Sequence, residues 1–283
     1  LFNNSTIIDV SSKKVVWQNN EFRNFKGLFF MGLDGLSGDV KADQASGKVT
    51  WYRDTETIDL DFARLELKRI LSAKKSSSSN IPGNDIGIPI TLKLKVDEFT
   101  NKFGKLGKIK LTISSEPELK TWFVSDLSMF SDDFQLFASG FWKIVEDPKS
   151  YPLLYGERTE VGETLKLTEI NFRMETDNIQ ALMDKVGYPG LFGQAEGILS
   201  GQLAWAGNPL NFNLENMYGG VYVDILDGKF IPAEPGLGRL IGLFNLQSLS
   251  KRLKFVFGDV FSEGFSFDRV SGDIKLEGGV AQT

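Results

Sequence analysis

The stretch ITLKLKV at residues 90–96 puts Ile90, Leu92, Leu94 and Val96 on one parity and Thr91, Lys93 and Lys95 on the other. Successive side chains of a strand point to opposite faces, so this is a strand with one apolar face and one charged face. The same period recurs along the chain. Ile58, Leu60 and Phe62 alternate with Asp59 and Asp61, and Ile109, Leu111 and Ile113 alternate with Lys110 and Thr112. Ile170, Phe172 and Met174, then Phe212 with Leu214 and Val221 with Val223, continue it. A parallel sheet covered on both sides would read as unbroken apolar runs, whereas one-sided alternation predicts an antiparallel sheet with one wet face. At five to six residues per strand the chain holds roughly ten strands.

Two runs change phase. After Phe62 the apolar parity passes to Ala63, Leu65 and Leu67, and Leu165 and Leu167 give way to Ile170. A β-bulge restores one face after an extra residue, and a bulge is expected at each slip. A Ser-Gly pair opens five similar segments: LSGDVKA (36–42), ASGKVTW (45–51), ASGFWKI (138–144), LSGQLAW (199–205) and VSGDIKL (270–276). Their spacing is irregular, which excludes a fixed-period solenoid. They read as a repeated strand-entry signal in a meander, with glycine permitting a tight turn, a bulge or close backbone approach.

The segment SAKKSSSSNIPGNDIGIP at 72–89 reads as a flexible linker or long loop. It divides the chain into a first β unit at 1–71 and a longer β segment at 90–283, truncated at its end. Two helices are expected. In TDNIQALMDKVGYPG (176–190) Asp177 or Asn178 can cap, Ile179, Leu182, Met183 and Val186 share a face, and Gly187 with Pro189 stops the helix. In GLGRLIGLFNLQSLSKRLKF (236–255) Leu237, Leu240, Ile241 and Phe244 share a face from Pro235 to about Leu249. Arg239 interrupts that run, which is short of the roughly 20 apolar residues that span a bilayer. The segment is expected to lie against the apolar face as a lid or plug.

Composition narrows the chemistry. The 283 residues contain no cysteine and no histidine and carry a net charge of −5. Thiolate nucleophiles, disulfides, cysteine-ligated metals and Ser-His-Asp catalysis are therefore excluded, and no basic field attracts nucleic acid. The neighbouring carboxylates Asp132-Asp133 and Glu146-Asp147 sit beside turn-forming residues and read as solvated charges rather than an acid–base pair. Asp224 and Asp227 flank an apolar pair in VDILDG, where Asp-Gly reads as a hairpin turn and not as a calcium loop. GLGRLIG lacks the lysine-serine pair of a phosphate loop. Trp17, Trp51, Trp122, Trp142 and Trp205 are scattered and read as core or sheet-edge residues. No cofactor or metal is expected.

The C-terminal half carries a resemblance. GYP at 187–189, LSGQLAW at 199–205, the turn DGKF at 227–230, PGLGRLIGLFNLQSLSKRLKFVFGDVFSEGFSFDRVSGD at 235–273 and GGVA at 278–281 resemble the C-terminal region of YhdP-type proteins in the AsmA-like superfamily of Gram-negative bacteria. The resemblance is dense over 120–283 and looser over 1–119, where SGKVTW, the serine linker and FQLFASGFWK follow the family's layout. It implies a fragment of a periplasmic protein anchored in the inner membrane by an N-terminal helix absent here. The chain begins at Leu1 and stops at GGVAQT, and both ends read as cut from something longer. The implied fold is a long, curled antiparallel sheet with an apolar groove and two short helices on or near that face. The implied function is phospholipid transport towards the outer membrane, without enzymatic activity. Acyl chains would slide along Leu92, Leu94, Val96, Ile109, Leu111, Ile113, Phe172, Met174, Phe212, Leu214, Val221 and Val223. Two other readings stand beside it: a scaffold that receives outer-membrane proteins by β-augmentation, and a carbohydrate-acting enzyme built on the carboxylate pairs.

Overall fold

The computed structural model describes residues 6–17, 20–68, 90–101, 104–155, 165–185, 193, 195–209, 216–230, 265–278 and 280–282. Among these are fourteen strands: β1 (Thr6–Trp17), β2 (Asn20–Gly32), β3 (Gly35–Lys41), β4 (Ala45–Tyr52), β5 (Thr57–Leu67), β6 (Thr91–Asn101), β7 (Gly104–Glu116), β8 (Thr121–Phe130), β9 (Gln135–Val145), β10 (Leu165–Thr176), β11 (Glu196–Ala206), β12 (Met217–Phe230), β13 (Phe265–Glu277) and β14 (Val280–Gln282). They lie in the sheet in the order of the sequence, β1 to β14, and the sheet does not close into a barrel. The chain is thus mainly β, as the alternation predicts. It carries more strands than the roughly ten expected, because segments without clean alternation also pair.

One pairing corrects the sequence reading. β5 and β6 run parallel, with Ile58 beside Leu92, Leu60 beside Leu94 and Phe62 beside Val96. Alternation cannot tell the two directions apart, since the same parity faces the same side in either. The residues between Leu67 and Thr91 must carry the chain back along the strand, roughly 3.3 Å per residue. A two-residue hairpin cannot do this, which accounts for a long connection here. The linker at 72–89 itself lies outside the described residues.

The expected bulge in β5 is present, with a difference. The β4–β5 register shifts between Ser46 and Gly47, so that Gly47 faces Phe62 and Ser46 faces Arg64. Ala63 is the extra residue and is exposed, while Leu65 returns to the buried side. Against β11 the slip expected in β10 is absent. The β10–β11 register is unbroken from Leu167–Ala206 to Thr176–Gly197, which puts Leu167 on the face of Glu169 rather than of Ile170. Leu167 is buried nonetheless, and burial on both faces mimics a slip in the sequence.

The chain forms two compact units. The first comprises Leu1–Asp132 with Ala138–Ile144 and Asn208–Asn211, and the second comprises Asp133–Phe137, Val145–Gly207 and Phe212–Thr283. Ala45, Phe62, Leu65, Val96, Phe99 and Ile109 make the buried centre of the first. Leu203, Trp205, Met217 and Val221 make that of the second. Full burial of one such aliphatic or aromatic side chain stabilises by about 1.5–3 kcal/mol.

Two short helices are described, α1 (Pro152–Tyr155) and α2 (Ile179–Lys185). Among the described residues no helix is long and apolar enough to cross a membrane. α2 is the first of the expected helices, and of its two candidate caps Asn178 is the one used. The Ala181 N–H donates to Asn178 Oδ1 at 3.0 Å, and the Asn178 N–H donates to Thr176 Oγ1 at 3.1 Å. Side-chain acceptance at this position satisfies an amide that the helix itself leaves open. Asn178→Ala is expected to cost about 1 kcal/mol, seen as a lower melting temperature with an unchanged far-ultraviolet spectrum. Ile179 leaves α2 over the sheet: its Cδ1 lies 2.6 Å from where a Cβ on Gly197 would stand. The second expected helix, 235–249, lies outside the described residues.

Candidate functional site

Strand registers convert alternation into rows of neighbours. In the first unit one row crosses eight strands: Ile8, Phe29, Gly38, Val49, Leu60, Leu94, Leu111 and Leu127, each directly paired with the next. A second row runs Val10, Gly27, Val40, Gly47, Phe62, Val96, Ile109 and Met129. A third runs Thr6, Met31, Leu36, Trp51, Ile58, Leu92, Ile113 and Val124. Its last step crosses a bulge between Thr112 and Ile113 in the β7–β8 pair. Apart from Thr6 at the edge, every position in the three rows is apolar or glycine.

From β3 onward the opposite face is polar and largely charged. The row between the first two reads Asp9, Leu28, Asp39, Lys48, Asp61, Lys95, Lys110 and Ser128. Lys95 Nζ lies 3.3 Å from Asp61 Oδ1 and 3.8 Å from Asp97 Oδ1. The Asp61 carboxylate, which accepts a hydrogen bond from the ammonium, holds Lys95 above the usual lysine range. These are solvated pairs whose task is to keep that face in water.

The second unit repeats the arrangement. Phe172, Gly201, Val221 and Ile274 form one row, and Met174, Leu199, Val223 and Gly272 the next. Ile170, Leu203, Gly219, Leu276 and Ala281 form a third. The other face carries Glu169, Gln202, Asp224 and Arg269. The Gln202 amide donates to Glu169 at 2.6 Å, and Arg269 donates to both oxygens of Asp224 at 2.8 and 2.9 Å. That pairing raises the Arg269 pKa further and engages Asp224 in the sheet's polar face.

Ten of the proposed groove residues can therefore be placed. Leu92, Leu94, Val96, Ile109, Leu111 and Ile113 share one face of the first unit, and Phe172, Met174, Val221 and Val223 share one face of the second. Phe212 and Leu214 lie outside the described residues, as do the lid candidates Leu237, Leu240, Ile241 and Phe244. The sequence reading missed the N-terminal part of the face. In FKGLFFMG (25–32) Leu28 and Phe30 are as apolar as Phe29 and Met31, so period two does not separate the sides.

The Ser-Gly motif also changes meaning. Gly38, Gly47, Gly140, Gly201 and Gly272 fall inside β3, β4, β9, β11 and β13, not ahead of them. Four of the five are placed by register, and all four are on the apolar face. A Cβ on Gly47 would stand 2.6 Å from Phe62 Cα, and one on Gly201 would stand 3.0 Å from Val221 Cα. Flat sheets keep neighbouring strands about 4.8 Å apart with room for a Cβ on either side. A neighbouring backbone this close leaves no room for a side chain at these points, and only glycine permits it.

The carboxylates that invited an enzymatic reading lie in connections between strands. Asp132 and Asp133 lie in the bend between β8 and β9, and Asp147 accepts hydrogen bonds from Lys149 N and Ser150 Oγ in a surface turn. Asp227-Gly228 is not a hairpin turn. Pairing continues past it, from Leu226–Arg269 to Gly228–Phe267, with Asp227 at φ 50° inside β12. A left-handed Asp inside a strand is a local irregularity, and Asp and Asn tolerate it better than most residues. Of the tryptophans, Trp205 and Trp142 are buried, Trp122 stacks on Trp142 at 6.1 Å, and Trp17 is exposed at the edge.

A family model described as YhdP protein matches residues 2–283 of this chain. No curated protein and no solved structure gives a match.

Proposed function

Since the chain belongs to the YhdP family, we propose that its apolar face carries phospholipid acyl chains between the inner and outer membranes. The observation that carries this reading is the set of three apolar rows crossing eight paired strands, with glycines where a neighbouring strand comes closest, behind an opposite face that is charged from β3 onward. Eight strands at about 4.8 Å each make an apolar face tens of ångströms long, partly exposed at Leu60, Leu94 and Leu111 and buried at Phe62, Val96 and Ile109. Such a surface binds hydrocarbon without a directional contact, so a chain can shift from row to row at little cost. The polar lipid head stays in water at the margin. No residue here acts on a bond, and no cofactor is required.

The reading places the segment in the periplasm, within a longer protein anchored in the inner membrane. Organic extraction of the purified chain followed by mass spectrometry is expected to release phospholipid. A lipid-free chain that stays monodisperse would count against an acyl track and in favour of a self-filled core. Recovery of outer-membrane proteins in place of lipid would support assembly by β-augmentation instead.

A further inference from the structure

We propose that Gly27 and Phe29 together set the clearance of the acyl track over β1–β3. The inference rests on the lipid reading above and assigns a role within it. In FKGLF (25–29) the three odd-numbered residues share the apolar face, with Gly27 buried between two phenylalanines. A Cβ at Gly27 would stand 2.5 Å from Phe29 Cε2, 2.9 Å from Phe29 Cζ and 3.4 Å from Phe25 Cε1. Both rings therefore lean over the vacancy at Gly27. The Phe29 ring also reaches its directly paired neighbour Gly38, where a Cβ would overlap Phe29 Cδ1. Atoms of the Phe29 ring thus occupy the space that side chains at both Gly27 and Gly38 would need.

Position 27 differs from Gly38, Gly47 and Gly201 in what a methyl group would meet. At Gly38, Gly47 and Gly201 it would strike backbone, whereas at Gly27 it would strike only ring atoms at the far ends of side chains. Carbon atoms settle about 3.5–4.0 Å apart, so Gly27→Ala leaves the strand in place and pushes the Phe29 ring up. A raised ring then stands where an acyl chain would pass. Gly27 thus acts through Phe29 as a positioning residue, and the pair predicts a suppressor. Removing the ring should cancel the effect of the added methyl group.

The test uses the full-length protein in its own cells, with a photo-crosslinking residue at Leu36, which pairs with Met31 on the same face. Phospholipid adducts are counted by mass spectrometry, and a second crosslinking position at Leu94 reports on the face beyond. Gly27→Ala is expected to lower the Leu36 adduct about tenfold, which corresponds to about 1.4 kcal/mol. Gly27→Ala with Phe29→Ala is expected to restore it to within about twofold of the parent. An unchanged adduct in Gly27→Ala, or a loss that the double variant does not restore, would overturn the clearance role while leaving the lipid reading intact. Absence of any lipid adduct at Leu36 and at Leu94 in the parent would overturn both.

Discussion

Val96→Asp is expected to abolish the folded state of the first unit, whereas a charge reversal at its neighbour, Lys95→Asp, is expected to leave that unit folded. Val96 is 1% exposed, between Phe62 on β5 and Ile109 on β7, with Phe99 and Leu65 in the same cluster. A carboxylate there has neither a cation nor a hydrogen-bond donor within the apolar rows. Burying such a group costs several kcal/mol or forces it to take up a proton. Domains have only about 5–15 kcal/mol of stability in total, so the loss is comparable to the whole. Lys95 points the other way, to a solvated face where exposed pairs contribute little. Circular dichroism and limited proteolysis of the two variants separate the outcomes. Similar behaviour in both would mean that the two faces are not chemically distinct.

The second large effect concerns the glycines that admit a neighbouring strand. Gly201→Ala is expected to cost about 3 kcal/mol, the upper part of the range for overpacking. Its methyl group would overlap the Gly220 carbonyl oxygen and crowd Val221 Cα at 3.0 Å, so β11 and β12 would have to part. Gly220→Ala, on the facing strand, has nothing within 4 Å of its Cβ position. That substitution is expected to be neutral or to stabilise by up to about 1 kcal/mol, since it restricts the unfolded chain. Urea denaturation of both variants gives the comparison. Equal costs would show that Gly201 is not a point of close approach.

Much of this architecture was legible because alternation reports directly on faces. ITLKLKV and KIKLTI gave the apolar rows of β6 and β7, and the phase change after Phe62 gave the bulge. Asn178 could be proposed, with Asp177, as a cap because its side chain suits that role just before an apolar helical face, which here begins at Ile179. What alternation cannot supply is the identity and direction of a strand's partner. The parallel β5–β6 pair has the same in–out pattern as an antiparallel one, so nothing in IDLDF or LKLKV distinguishes them. The Ser-Gly pairs were expected ahead of their strands for a related reason, although close backbone approach was among the roles read for them and is the one found at Gly38, Gly47 and Gly201. Glycine serves turns and close approach equally well, and only the register shows that Gly38, Gly47 and Gly201 sit mid-strand. Asp227-Gly228 shows the same limit, since a left-handed Asp serves a hairpin and a strand irregularity alike.

The candidate site follows the same division. The alternating charges of β6 and β7 made Leu92, Leu94, Val96, Ile109, Leu111 and Ile113 readable as one face. β2 is apolar at Leu28 and Phe30 as well as at Phe29 and Met31, and both pairs stay partly exposed, so its sequence did not say which side faces inward. Register with β3 resolves it: Phe29 pairs with Gly38 and Met31 with Leu36, in line with Val49 and Trp51 beyond. A continuous apolar face is a property of neighbouring strands together, and it becomes visible only when the rows are assembled.

Face-resolved crosslinking in the full-length protein tests the account most directly. Photo-crosslinking residues placed singly at Leu94 and Leu111, and at Lys95 and Lys110 as their opposite-face partners, report on the two sides of the same two strands. The account predicts phospholipid adducts at Leu94 and Leu111 and none above background at Lys95 and Lys110. Lipid captured equally at all four positions, or at none, would contradict it.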